Sequence, residues 1–175
     1  MNPLAHRDAT TLAGGWTRAF PHYSVDQLFG LIADIESYPS FIPGCVATRV
    51  LDRDGDRWRV DNLVRFGPLR SRFVSLAEFD APSRLVISSD NGPWRDFRLA
   101  WRLSPSHRGS RLACSFAAAF RSRMVATVAR LGLPDIERAT IAAFEHRAQA
   151  LYAATAAAGN TVAANIPPSY CGAPP

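Results

Sequence analysis

Apolar residues recur at helical spacing from Val25 through Leu28, Phe29 and Ile32 to Ile35, which predicts one amphipathic helix with a single buried stripe. Ser24 is a good N-cap for it, Gln27 completes a capping box, and Pro39 ends it. Past residue 45 the period drops to two. A strand is predicted from Val46 to Arg53, followed by a hairpin turn over residues 52–56 with its Asp54-Gly55 signal. In the next strand Trp58, Val60, Val64 and Phe66 share one face, and Arg57, Arg59, Asp61 and Arg65 the other. Gly67-Pro68, Ala81-Pro82-Ser83 and Asp90-Asn91-Gly92-Pro93 punctuate strands over Leu69 to Phe79 and Arg84 to Ser89. Phe97, Leu99, Trp101 and Leu103 then alternate with mostly polar neighbours, and Leu112, Cys114, Phe116, Ala118 and Phe120 repeat the pattern.

From Ser122 the period is helical again. Met124, Val125, Val128 and Leu131 predict a short helix that Gly132-Leu133-Pro134 breaks or kinks. Asp135 can cap a second segment through Ile141, Phe144, Ala148, Leu151 and Tyr152, ending near Gly159. Trp16 to Tyr23 reads as a first strand, residues 1–16 as a flexible arm, 17–158 as one domain and 159–175 as a disordered tail. Strands joined by short turns imply an antiparallel meander, not βαβ units. The expected fold is α+β: a curved antiparallel sheet wrapped around a long C-terminal helix, with an apolar inner face and an arginine-rich outer one.

Composition narrows the chemistry. The 175 residues suffice for one domain with a real core, and no window is long and apolar enough to span a bilayer. All 20 basic residues are arginine, a signature of GC-rich coding, and the net charge of +5 favours an anionic partner. Cys45, Cys114 and Cys171, like the four scattered histidines, lack pairing or ligand spacing, so neither a disulfide framework nor a metal site is expected. No nucleophile elbow, P-loop or dinucleotide-binding glycine motif is present. His146 is expected on the flank of the last helix and not as a general base.

Residues 35–45 form a stiff apolar elbow, in which Pro39, Pro43 and Gly44 hold Tyr38, Phe41, Ile42 and Cys45 in an irregular connection. The elbow resembles the Tyr-Pro-x-Phe-x-Pro-x-Cys segment of the Coq10/RatA branch of the START-like (polyketide cyclase/dehydrase) superfamily. Gly92-Pro93-Trp94 with Phe97 and Trp101, residues 110–120 ending in Phe116 and Phe120, and residues 141–152 with Phe144, Arg147-Ala148 and Leu151-Tyr152 are similar to further motifs of that branch, in the same order. The resemblance covers roughly residues 17–153. It departs in the Trp after Gly92-Pro93, in arginines where lysines are usual, and in the tails.

That resemblance implies a START-like helix-grip fold and a non-enzymatic role: binding a hydrophobic ligand, foremost ubiquinone or another polyprenyl quinone, in support of respiration. No cofactor is required beyond that ligand. The alternatives are a RatA-like regulator acting on the large ribosomal subunit and a cyclase-like enzyme. The expected cavity residues are Tyr38, Phe41, Ile42, Pro43, Phe73, Trp94, Phe97, Trp101, Phe116, Phe120, Met124 and Phe144, with Tyr38, Ser71 or Ser75 and Arg147 as polar contacts. Tyr38, Phe41, Ile42 and Pro43 are expected to meet Met124, Val128 and Leu131 at the opening. Arg57, Arg59, Arg65, Arg98 and Arg102, together with Arg111, are expected outside, facing membrane or phosphate. The expected location is the cytoplasm, with peripheral contact on the cytoplasmic face of the inner membrane.

Overall fold

The computed structural model describes residues 9–161. Its elements run β1 (Thr11–Pro21), α1 (Val25–Ala33), a 3-10 turn (Ile35–Ser40), β2 (Cys45–Asp54), β3 (Arg57–Phe66), β4 (Leu69–Asp80), β5 (Arg84–Ser89), β6 (Trp94–Ser106), β7 (Gly109–Phe120) and α2 (Arg123–Thr161). The strands form one antiparallel sheet in the order β1-β7-β6-β5-β4-β3-β2. From β2 to β7 every neighbour in sequence is a neighbour in space, as short hairpin turns require. Only β1 departs, pairing with β7 to close the order. α1 starts as its sequence dictates: the Ser24 hydroxyl accepts from the Gln27 amide, and the Gln27 side chain accepts from the Ser24 amide at 2.9 Å.

Three expectations are corrected. Residues 11–15, expected in a flexible arm, are strand, because β1 pairs with β7 without a break from Thr11 opposite Ala119 to Pro21 opposite Gly109. Their small side chains show no period, and the partner strand supplies the order. Residues 1–8 of the expected arm lie outside the described residues. The expected break at residues 132–134 is also absent: α2 is one helix through Pro134. A proline there removes one backbone hydrogen bond, yet α2, which packs on β1, β3, β7 and α1, continues through it. α2 also runs past the expected start of the tail at residue 159, and residues 162–175 lie outside the described residues.

The larger core joins α1 and the C-terminal half of α2 to β1, β5, β6 and β7. Phe20, Leu28, Ile32, Leu85, Leu112, Phe144 and Ala148 are almost completely buried there. A second cluster, Phe73, Trp94, Ala118, Phe120, Ala126 and Ala129, lies under the N-terminal half of the same helix. The site lies between the two.

Candidate functional site: an apolar cavity between sheet and helix

Side-chain size on α2 opens the cavity. Where the helix crosses β1 and β7 its inner face carries Ala126, which is packed in the core cluster, and Ala129, which with Ala118 of β7 lines the cavity. Small side chains on these two facing surfaces leave space that the surrounding rings do not fill. The space has two overlapping lobes of about 230 Å³ each. Ile42, Pro43, Phe66, Trp94, Phe97, Leu99, Trp101 and Ile136 border both. One lobe continues under β1 and β7 past Leu12, Trp16, Cys114, Phe116 and Phe120 to Leu133, Glu137 and Thr140 of α2. The other runs along β3 and β4 past Tyr38, Cys45, Asn62, Val64, Phe73 and Ser75.

A register shift between Trp94 and Asp96 shapes the aromatic wall. Regular alternation puts residues 94 and 97 on opposite faces; the extra residue at the shift brings both inward, and their rings stack at 4.6 Å and 20°. Phe66 and Phe73 meet Trp94 edge-on, at 5.6 and 5.5 Å, and Phe120 leans on it at 4.8 Å. The indole N–H groups of Trp94 and Trp101 are buried with no acceptor among the described residues. Both indoles make edge-to-face ring contacts, where a π face can receive an N–H.

Of the twelve expected cavity residues, the structure places Tyr38, Ile42, Pro43, Phe73, Trp94, Phe97, Trp101, Phe116 and Phe120 on the walls. Three lie elsewhere. Met124 is 63% exposed and Leu131, its expected neighbour at the opening, 77% exposed. At about 100° per residue both fall on the side of α2 opposite Leu133, Ile136 and Thr140. The predicted meeting of elbow and helix therefore involves the other face: Ile42 and Pro43 share a wall with Leu133 and Ile136. Val128 sits over the β3–β4 turn, close to Gly67. Phe144 is core, wedged between Phe41 at 5.4 Å and Trp101 at 4.9 Å. Phe41 sits in a shallow surface groove with Ser40, His146 and Arg147, and the Arg147 guanidinium lies 5.6 Å from its ring centre, so neither reaches the cavity. Ser75 is on the wall, whereas Ser71 is not.

Several wall residues escaped the sequence reading. Phe66, Leu99 and Cys114 already alternated inward, and Ile136 and Thr140 follow from the helical period once α2 is known to be unbroken. Asn62 carried the clearest missed signal, a polar residue at an inward position between Val60 and Val64. Glu137 reaches the wall because Gly14 has no side chain: a Cβ there would stand 2.9 Å from Glu137 Oε1 and 2.7 Å from the Phe116 ring.

Burial sets the protonation of the site. It pushes the Cys45 thiol up to about 11, and burial followed by the Glu137 charge pushes Cys114 up to about 12. Both are neutral thiols at physiological pH, and a neutral thiol is a poor nucleophile. Burial, reinforced by Cys114, Cys45 and Asp34, raises Tyr38 well above the usual phenol range, and its hydroxyl donates to Ile32 O. Among the described residues no group of His, Cys, Asp and Glu could hold a metal ion, and no helix is long and apolar enough to cross a membrane.

The outer face is basic but interrupted. Arg57, Arg59 and Arg65 are exposed on β3, Arg98 and Arg102 on β6 and Arg111 on β7. Between β3 and β6 lie β4 and β5, with Leu76 and Val86 outward. Arg57 pairs with Glu78 at 3.2 Å, and Asp61 takes a forked contact from Arg72, whose hydrogen bond holds that carboxyl below its ordinary range.

Residues 21–145, which hold all of this architecture from α1 to most of α2, match the family described as polyketide cyclase / dehydrase and lipid transport. The chain belongs to this family. Within it, the chain is 22% identical over 133 residues to the ribosome association toxin RatA of Escherichia coli (strain K12), covering 75% of this chain and 84% of that protein. It is 24% identical over 135 residues to the coenzyme Q-binding protein COQ10 homolog B, mitochondrial, of Xenopus laevis, covering 74% of this chain and 55% of that one. The Zhui aromatase/cyclase of Streptomyces sp. R1128 superposes with a TM-score of 0.67 at 12% identity, over 79% of this chain and 93% of that one. The proteins that the chain resembles thus include a ribosome association toxin and a coenzyme Q-binding protein in sequence, and an aromatase/cyclase and a START superfamily protein in fold.

Proposed function

We propose that the protein is a non-enzymatic carrier for a hydrophobic ligand of the polyprenyl-quinone class, supporting respiratory electron transfer. The two-lobed cavity carries this reading. Its walls are aromatic and aliphatic with a few polar groups, and its lobes together reach the lower part of the roughly 300–1,000 Å³ range of small-molecule sites. A substituted ring fits beside Trp94 and Phe97, and a long prenyl tail continues beyond the lobes. The likeness to a coenzyme Q-binding protein supports the ligand class. The raised thiols of Cys45 and Cys114, poor nucleophiles in their protonated form, support binding over covalent catalysis.

Energetics assign the protein's selectivity. A prenyl tail in a bilayer is already in hydrocarbon, so transferring it to another apolar site gains almost nothing. Discrimination comes from ring shape and from the few polar wall groups. Contact with an anionic bilayer draws on the outer arginines, each worth about 1 kcal/mol near such a surface. Mass spectrometry of lipids that co-purify with the protein tests the reading: quinone should be recovered and should rebind on reconstitution. Repeated purification without quinone, together with no binding on addition, overturns it.

A second reading, association with the large ribosomal subunit, is favoured by the likeness to RatA across 84% of that protein. Sedimentation with ribosomal subunits through a salt series decides between them. Stoichiometric association at physiological salt, lost when Arg57, Arg59 and Arg98 are reversed to glutamate, establishes the second reading; binding that vanishes with modest salt dismisses it.

A further inference from the structure

We propose that Asn62 and Ser75 select a ligand by its hydroxyl group, so that, resting on the carrier reading above, the reduced quinol binds in preference to the quinone. Asn62 lies on the inner face of β3, opposite Phe73 of β4. Its side-chain amide nitrogen donates to Val60 O and to Ser75 Oγ, both at 2.9 Å, and lies 3.4 Å from Phe73 O. Two of these partners are backbone carbonyls, which only accept, so the nitrogen and oxygen of the amide are assigned without ambiguity. The other end of the amide, Oδ1, has no donor among the described residues, although Asn62 lines the cavity. Ser75 is 97% buried and accepts from Asn62, and its own proton has no acceptor among the described residues.

The pair therefore offers one acceptor and one donor in a lobe whose remaining walls are mostly apolar, apart from Arg65, which borders the lobe from β3 but is itself exposed. Tyr38 adds no donor, because its proton is given to Ile32 O. Cys45 holds only a weakly bonding thiol. A ligand hydroxyl satisfies both members, donating to Asn62 Oδ1 and accepting from Ser75. A ligand carbonyl or ether oxygen can use only the Ser75 proton and leaves the amide oxygen without a donor. Sites built to hydrogen-bond a hydroxyl discriminate strongly against analogues lacking it, because their own polar groups are left unpaired. Quinone and quinol differ in this respect, since the first carries only acceptors and the second carries two hydroxyls.

The test uses a redox-inert pair first: 4-nonylphenol and its methyl ether, titrated against the full chain by quenching of tryptophan fluorescence. Wild type should bind the phenol about tenfold more tightly. Asn62→Leu should bring that ratio close to one with ether affinity retained. Ser75→Ala, which removes the donor and leaves Oδ1, should keep the phenol preferred; it also serves if Asn62→Leu fails to fold, as judged by its thermal transition. A short-chain benzoquinone and its quinol, compared without oxygen, should show the same order. Equal affinity for phenol and ether in wild type overturns this inference and leaves the carrier reading standing. Failure of both to bind overturns both. A preference that survives in folded Asn62→Leu shows that Asn62 is not its source.

Discussion

The two halves of α2 lie on the same sheet and do opposite things. The C-terminal half places Phe144 and Ala148 among Phe20, Leu28, Ile32 and Leu112, in a core with almost no exposed area. The N-terminal half places Ala126 and Ala129 over a ring of aromatics and leaves a cavity between them. Composition of the helix face accounts for the difference: a phenylalanine fills one interface, and alanines hold the other open. The fold is secured at one end, so that the other can remain incompletely packed.

The sharpest way to break this contrast is at Phe144. Phe144→Ala should cost about 3–5 kcal/mol, read as a drop in the urea midpoint, because it empties a fully enclosed site shared by Phe41 and Trp101. A loss below about 1 kcal/mol would mean that this end is as loosely filled as the other.

The thiols beside the cavity give a second test. Both are raised above the ordinary value of about 9, so the folded protein holds protons that the unfolded chain releases. Their contribution is therefore fully present below pH 9 and is lost as pH rises, towards about 11 for Cys45 and about 12 for Cys114. Unfolding free energy should fall in that window, by up to about 1.4 kcal/mol per pH unit for the buried Cys114 and by less for the half-buried Cys45, whose exposure to solvent screens the effect. Urea titrations from pH 8 to 11 should give a flatter profile for Cys45→Ala/Cys114→Ala, with a remaining slope from Tyr38, which is also raised by burial. An unchanged profile in the double variant would show that the thiols are not the titrating groups.

Much of this contrast was legible in the chain, and some of it was not. Period-two alternation gave the strands and their inward residues, and the capping box at Ser24 and Gln27 marked the start of α1. The first five residues of β1 are not legible in the chain, because Ala13, Gly14 and Gly15 carry no pattern and pairing with β7 decides their state. Met124 and Leu131 fall outside because α2 is one helix through Pro134, and its continuous period turns Ala129, Leu133 and Ile136 to the cavity instead; a proline in the sequence gives no sign that packing carries the helix past it. The cavity itself was beyond periodicity: an alanine at an inward position reads the same whether its neighbours close over it or not.

A smaller effect tests the open end directly. Ala129→Leu should fill the lobe beside Leu133 and Phe120, raise stability by about 1 kcal/mol and weaken ligand binding more than tenfold. Destabilisation by about 1–3 kcal/mol would mean an already packed interface. The smallest effect is expected where the helix meets β1 at the surface. The Arg18–Glu145 pair, at 2.6 Å but about half exposed, should contribute about 0.5 kcal/mol or less, so Arg18→Ala should leave the melting curve almost in place.

The register shift in β6 turns the aromatic wall into a question of parity. Arg95 is the residue that the sheet does not count; its guanidinium reaches across to Phe120 O and Thr10. A strand that did count it would keep Phe97 inside, turn the Trp94 indole outward and lower a cation into the most apolar part of the molecule. One uncounted position thus decides whether this end of the sheet presents a stacking surface for a flat ring or a buried charge. Excising that position would preserve the inward pair, whereas any change that straightens the strand would exchange its two faces.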